Sequence, residues 1–326
     1  MKVIATLLFC LCSTYLFGQP KSAVDIHGQL KVQKGQVLNK NNQPPQLRGI
    51  SLSWSIWGGA KFYTPQVINW LHKDFKVNLI RLSMGVEPDG GYLKEPIKQK
   101  QLMIKMIDAA IKDGLYVIVD WHDHHADQHQ EEAIVFFTEI AKKYAGNKNI
   151  IYEVFNEPTR IDWQIIKSYS TAVIKAIRKY DAQNLIIVGS PAWDQDVDVA
   201  AKSPIVGFKN IAYSFHFYAS DPNHQGQLMK KADVAIAAGL PLFVTEWGVG
   251  EADGNGVFDL SKTNKWLQWM EKKKLSWANW NITDKKETTA ILNQGASTSG
   301  NWSQEQLSPA GKYIRDKLRG LNLSSN

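Results

Sequence analysis

Beyond position 12 this chain of 326 residues contains no cysteine. Its two cysteines, Cys10 and Cys12, fall in an N-terminal stretch that reads as a secretory signal, with Lys2 as the charged start and Val3–Phe17 as the apolar run. Cleavage is expected near Gly18 or Gln19. Residues 1–19 are therefore read as a signal peptide and 20–326 as one domain. The mature chain would then hold no disulfide, so a large core has to stabilise it, and roughly 300 residues can supply one. The small residues expected before a lipid-anchored cysteine are missing ahead of Cys10 and Cys12. No later stretch of similar length is free of charge, and a membrane span needs about 20 apolar residues. The expected product is secreted or periplasmic, monomeric, and free of the membrane once the signal is cleaved.

Other absences narrow the class. The formal charge is +7, but no arginine-rich stripe or nucleic-acid motif accompanies it. Lys98, Lys100, Lys105 and Lys142 are scattered, and the run Lys272–Lys274 falls at an expected helix end, where cations suit the dipole. These are solvated faces, and no nucleic-acid partner is expected. No glycine-rich nucleotide loop follows the first strand, and there is no linker or low-complexity tract. A hydrophobic content of 44% against 21% charged residues excludes a disordered chain.

What the chain has in excess is tryptophan, with 12 residues. About half are expected to pack in the core, leaving the others as flat surfaces for ligands such as sugar rings. A turn-rich hairpin is expected over Lys31–Leu38 about Gly35. Apolar β-rich runs then alternate with amphipathic stretches. The expected strands are Gln46–Leu52, Val77–Ser83, Leu115–Trp121, Ile150–Asn156, Leu185–Gly189, Asn210–Phe217, Pro241–Glu246 and Ser276–Asn281. The expected helices are Thr64–Phe75, Ile97–Lys112, Glu131–Tyr144, Asp162–Tyr180, Val197–Lys202, Gly226–Ala238, Leu260–Lys273 and Leu307–Leu318. Near-continuous apolar strands separated by helices predict an α/β fold, a parallel (β/α)8 TIM barrel with a short N-terminal β-hairpin.

In such a barrel the site lies at the C-terminal ends of the strands. Those ends carry Arg81, Asp120-Trp121-His122, Asn156-Glu157-Pro158, Trp193, His216 and Tyr218, Glu246-Trp247, and Trp280. Glu157 and Glu246 each close a strongly apolar strand, on strands four and seven of one rim. Two carboxylates flanking a glycosidic bond are the minimum apparatus for its hydrolysis. Taken singly, Glu157 could be a surface turn held extended before Pro158, and Glu246 a buried ion pair with Arg81.

The segments Val154-Phe-Asn-Glu-Pro158 and Phe243-Val-Thr-Glu-Trp-Gly248 resemble the acid/base and nucleophile signatures of glycoside hydrolase family 5, in clan A. Leu47-Arg-Gly-Ile-Ser51, Ile80-Arg-Leu82, Val119-Asp-Trp-His122, Ser214-Phe-His-Phe-Tyr218 and Trp277-Ala-Asn-Trp280 extend the resemblance over nearly the whole mature chain. Trp193-Asp-Gln-Asp-Val-Asp198 and Asp284-Lys-Lys-Glu287 are similar to its bacterial endoglucanase (cellulase) branch, not its mannanase branch. One departure is visible: many relatives carry a histidine just after strand one, where this chain has Ser51-Leu-Ser-Trp54.

The resemblance implies a retaining endo-β-1,4-glucanase acting on cellulose, related β-glucans or cello-oligosaccharides, without a cofactor. It implies Glu157 as acid/base, Glu246 as nucleophile, and Asn156 on the sugar 2-hydroxyl. Arg81 and Tyr218 would hold the nucleophile, and His122 and His216 would line the cleaved sugar's site. Trp280 would form its floor, Trp57 and Trp193 would stack neighbouring sugars, and Lys285 and Glu287 would bond hydroxyls farther out. Arg81 beside Glu246 is expected to favour its ionised form, and that negative charge to keep Glu157 protonated. His122, His124, His125 and His129, with Asp120, Asp123 and Asp127, match no standard zinc spacing, so a polar loop and no metal is expected there. Mannan, xylan or mixed-linkage glucan remain alternative substrates. A silent sugar-binding protein is disfavoured because binding alone has no need of both glutamates.

Overall fold

The computed structural model describes residues 21–323. The expected signal peptide, with Cys10 and Cys12, lies outside the described residues. A short helix, Ala23–His27, precedes a two-stranded antiparallel hairpin, β1 (Lys31–Gln33) and β2 (Gln36–Leu38). Eight parallel strands then close a barrel: β3 (Arg48–Leu52), β4 (Leu79–Gly85), β5 (Tyr116–His122), β6 (Ile150–Glu153), β7 (Leu185–Val188), β8 (Ile211–Tyr218), β9 (Leu242–Gly248) and β10 (Trp277–Ile282). Their order around the barrel is sequential, with β10 pairing β3 to close it. All eight expected strands are present, with boundaries shifted by up to three residues. Among the described residues no helix is long and apolar enough to cross a membrane.

Two separate apolar clusters explain why the strands are buried on both faces. The outer cluster joins the strands to the surrounding helices, such as Pro96–Lys112, Gln130–Tyr144 and Trp163–Arg178. The inner one is small: Leu47, Leu79, Tyr116, Ile118, Ile151, Leu185, Ile187, Ala212, Phe243 and Ala278 fill the lower barrel, and Leu30 and Val37 of the hairpin segment close it from below. The hairpin is therefore a plug, and the Tyr116 hydroxyl donates to the Gly28 carbonyl at 2.5 Å.

Above that apolar layer the same alternation continues in polar residues. Inward positions run Leu79, Arg81, Ser83 on β4 and Ile118, Asp120, His122 on β5. Glu153 follows Ile151 on β6, opposite Asp120. A barrel filled to the top for stability alone would stay apolar; here the filling stops halfway and the upper half carries charge.

Two helices differ from expectation. The helix after β3 is a short α-helix, Pro65–Trp70, continued by a π-turn over Leu71–Phe75. The last helix is Pro309–Leu323, entered through Ser308, whose hydroxyl accepts from the Gly311 N–H at 2.9 Å. After β7 the short helix expected at Val197–Lys202 is present, and ahead of it Ala192, Trp193 and Asp194 turn with φ of 56, 57 and 61°.

Candidate active site

Glu246 reaches the barrel interior through a bulge. Along β9, Phe243 belongs to the inner cluster, while Val244 and Trp247 belong to the outer one. Strict alternation would send Glu246 outward. The β8–β9 register shifts between Ser214 and His216, so that His216 faces Glu246. One extra residue is thus accommodated in β9, and Thr245 and Glu246 both turn inward.

Once inside, each Glu246 oxygen has its own donor. Arg81 Nη1 donates to Oε2 at 2.8 Å and the Tyr218 hydroxyl donates to Oε1 at 2.6 Å. The Arg81 ion pair considered for Glu246 therefore exists, and it belongs to the site. Arg81 is wholly buried and also meets Glu153 at 2.7 Å and Asp120 at 3.0 Å. One guanidinium serving three carboxylates fixes all of them, because a buried charge persists only when paired and hydrogen-bonded. Burial pushes the Asp120 carboxyl up to about 7, although Arg81 pulls it down.

Asn156 Oδ1 accepts from Arg81 Nη2 at 2.6 Å. That bond fixes the amide, and its buried Nδ2 is left without a hydrogen-bond partner among the described residues. Beyond β6, the Asn156 and Glu157 N–H groups donate to the Trp121 and Asp123 carbonyls at 3.2 and 3.5 Å, so the expected strand end still runs beside β5.

Glu157 is not placed as its charge was expected to be. His216 Nδ1 lies 2.8 Å from its Oε1, and His124 Nε2 lies 3.3 Å from its Oε2. Burial raises the Glu157 carboxyl, but these two histidines outweigh it and hold the group below the ordinary carboxylate range. This corrects the expectation that the charge on Glu246 keeps Glu157 protonated: two imidazoles stand closer to it than that argument allowed for. Burial lowers His216, yet Asp194, Glu157 and Glu246 lift it to about 9. The proton of the pair rests on the histidine side.

His122 behaves in the opposite way. Burial, reinforced by Arg81, lowers it to about 3, so its ring is neutral. Its Nδ1 lies 2.7 Å from Asp120 Oδ2, and the ring stacks parallel to Trp280 at 5.3 Å between centroids. Trp54 meets His122 edge-on at 4.2 Å. Trp57 is 64% exposed on a short 3-10 turn.

Two hollows meet at His124, Glu157 and Tyr218. One, of about 920 Å³, is lined by Trp54, Trp57, Glu246, Trp280, Lys285 and Glu287. The other, of about 630 Å³, is lined by Arg160, Trp193, Gln195 and Asn223. Lys285 Nζ pairs with Glu287 Oε2 at 2.7 Å, and Lys61 Nζ with Asp284 Oδ2 at 2.7 Å. All twelve residues singled out from sequence thus converge on one cleft or directly behind it.

Residues that sequence reasoning left aside are Glu153, Asp194, Trp54 and the contact of His124 with Glu157. A signal existed for Glu153, a carboxylate inside the apolar run Ile150-Ile-Tyr-Glu-Val-Phe155. The histidines of the loop after β5 are each engaged with carboxylates: His125 with Glu87 at 2.9 Å and His129 with Asp123 at 2.8 Å. Glu87, Asp123 and His129 bring possible ligand atoms within 4.8 Å of one another, and so do Glu157, His216 and Glu246.

Comparison with known proteins places this geometry. Residues 38–286 match the model of the family described as cellulase (glycosyl hydrolase family 5). The chain is 43% identical over 288 residues to endoglucanase Z of Dickeya dadantii, covering 87% of this chain and 65% of that protein. It is 37% identical over 330 residues to an endoglucanase of Clostridium saccharobutylicum, covering 99% of this chain and 72% of that one. The chain therefore spans about two thirds of these curated relatives. A Cytophaga hutchinsonii structure superposes with a TM-score of 0.91 at 41% identity, over 94% of this chain and 99% of that one. The catalytic domain of Thermobifida fusca endoglucanase Cel5A gives 0.87 at 33% identity, over 92% and 100%. A variant of that domain was solved in complex with cellotetraose and gives 0.86 at 32% identity, over 92% of this chain and 100% of that one.

Proposed function

This chain belongs to glycosyl hydrolase family 5, and from that premise we propose that it is a secreted endo-β-1,4-glucanase that works by retaining double displacement on cellulose or related β-glucans. The observation that carries the reading is the spacing of Glu157 and Glu246. Their ligand atoms lie within 4.8 Å of each other, with His216 in the same group. So close an approach suits direct attack by a carboxylate, for which the groups stand about 5–5.5 Å apart, better than the roughly 6.5–9.5 Å of an inverting pair.

In the first step Glu246 attacks the anomeric carbon while the leaving oxygen takes a proton from Glu157. The C1–O bond to the leaving sugar breaks as the Glu246 ester forms. Hydrogen bonds from Arg81 and Tyr218 hold both oxygens of the nucleophile and orient it. The transferred proton belongs to the Glu157–His216 pair as a unit, because the 2.8 Å contact lets it cross between them. In the second step Glu157 takes a proton from water, which attacks the same carbon and frees Glu246. The Asn156 Nδ2 is free to donate to a sugar 2-hydroxyl, a bond that strengthens in the transition state. Trp280 beneath the reacting sugar, and Trp57 and Trp193 on either side, supply stacking faces.

A cellotetraose-bound relative supports a cello-oligosaccharide substrate. The secretory reading rests on Lys2 and Val3–Phe17. One panel tests the function: reducing-sugar release from soluble cellulose, barley glucan, xylan and mannan. Highest release from the first is expected; release from xylan or mannan alone overturns the substrate, and none from any overturns the activity.

A further inference from the structure

Three non-glycine residues in succession, Ala192, Trp193 and Asp194, adopt the left-handed conformation. Each costs about 1–2 kcal/mol, so such a run persists only where its surroundings hold it. Here the holding groups belong to the segment after Glu157. The Ala192 N–H donates to the Thr159 carbonyl at 3.0 Å and the Trp193 N–H to the Pro158 carbonyl at 2.7 Å. Asp194 closes the turn on itself, its Oδ1 accepting from the Ser190 N–H at 2.5 Å.

The turn sends neighbouring side chains to opposite places. Trp193 lines the cleft, whereas Asp194 is wholly buried. Its second oxygen, Oδ2, has no hydrogen-bond partner among the described residues and lies 3.5 Å from His216 Nε2. The other nitrogen of that ring is the one that contacts Glu157. A buried carboxylate, an imidazole and Glu157 thus form one chain of contacts, and the reaction described above uses only His216 and Glu157.

We propose that Asp194 is a positioning residue for the acid/base: acting through His216, it keeps the deliverable proton on the Glu157–His216 pair to higher pH and so sets the alkaline limit of turnover. This rests on the reading of Glu157 as acid/base. Besides Asp194, His216 faces Glu157, Glu153 at 3.9 Å and the neutral Thr245 hydroxyl at 2.8 Å, with Glu246 nearby on β9, His124 beyond Glu157, and Arg81 behind Glu153. Burial pushes Asp194 well up, opposed by His216 and the Ser190 N–H, so the three groups titrate as a set. Asp194→Asn keeps the shape and the Ser190 bond but takes one negative charge from the set. The set then releases its proton earlier.

The test is the pH profile of kcat/KM for wild type and Asp194→Asn on two substrates. On a cello-oligosaccharide the basic limb of the variant should fall by roughly one pH unit or more, with the acid limb unmoved. On a dinitrophenyl cellobioside, whose leaving group departs without a proton, kcat/KM at neutral pH should be unchanged. A basic limb that superimposes on wild type, or an equal loss on both substrates, overturns the proposal. Glu157→Ala on the same pair tests the reading beneath it: loss on the oligosaccharide with activity kept on the aryl substrate supports Glu157 as acid, and equal loss on both sinks that reading whatever Asp194 does. Should Asp194→Asn fail to accumulate, nitrogen NMR of His216 in the wild type decides. Loss of its proton within or below the ordinary imidazole range would overturn the proposal, and retention above that range supports it.

Discussion

The ring of Tyr218 lies against the backbone of Gly248, so that a side chain at 248 would begin only 2.6 Å from the ring carbons. From that position the phenolic hydroxyl donates to Glu246 Oε1 at 2.6 Å. The glycine of Glu246-Trp-Gly248 is therefore required by a neighbour across the β8–β9 pair, not by its own backbone angles. A hydrogen bond to a charged group contributes about 1.5–3 kcal/mol. Tyr218→Phe should accordingly lower kcat by roughly 10- to 100-fold with little change in KM. Gly248→Ala should show the same pattern with a cost in stability as well. Steady-state kinetics and a thermal melt check both; a Tyr218→Phe enzyme with wild-type kcat would remove Tyr218 from the nucleophile's support.

His124 gives a second outcome, with the sign opposite to that expected for Asp194. Burial lowers this imidazole, but its contact with Glu157 raises it overall. The same contact helps hold Glu157 low. Deleting a donor from a carboxylate raises its affinity for a proton. His124→Ala should therefore let the Glu157–His216 pair keep its proton to higher pH, and the basic limb of kcat/KM should move upward. A downward movement would mean that His124 is itself the proton source.

Trp193 lies in the hollow on the far side of Glu157 from Trp57, with the Arg160 guanidinium 5.6 Å from its ring. An aromatic platform there binds ground and transition states alike. Stacking of about 0.5–1.5 kcal/mol implies that Trp193→Ala raises KM roughly 2- to 12-fold with kcat nearly kept. If kcat falls and KM stays, Trp193 instead braces the left-handed turn that carries Asp194.

The strands were legible because buried parallel strands must be apolar on both faces, and runs such as Leu185-Ile-Ile-Val188 have few other uses. Glu157 and Glu246 stood out against that background for the same reason. What alternation could not reveal was which way Glu246 points, since the bulge that turns it inward inserts a residue without any glycine or proline to mark it. The left-handed run at Ala192–Asp194 was equally hidden: its residues do not favour that conformation, and it is held by carbonyls over thirty positions away in the chain. The proton state of Glu157 was misread because His124 and His216 come from separate strand ends, and their joint approach to one carboxyl is a property of the closed barrel.

The stereochemistry expected of the product follows from the proposed attack by Glu246 and from how near Glu157 stands to it. Glu157, His216 and Glu246 place one ligand atom each within 4.8 Å of the others. An inverting hydrolase separates its carboxyl groups by about 6.5–9.5 Å to admit a water between the base and the sugar, whereas direct attack requires about 5–5.5 Å. Arg81 and Tyr218 hold Glu246 on both oxygens, which hinders any retreat that would open the gap. Attack by Glu246 inverts the anomeric carbon once, and hydrolysis of the ester inverts it again. Cleavage of a β-linked cello-oligosaccharide should therefore release the β-anomer first, with the α-anomer growing in only as mutarotation proceeds. Proton NMR over the first minutes of reaction resolves the two anomeric signals. An initial α-product would refute direct attack by Glu246 even if Glu246→Ala were inactive, because a base and a nucleophile at that position are both essential, and only the first anomer released tells them apart.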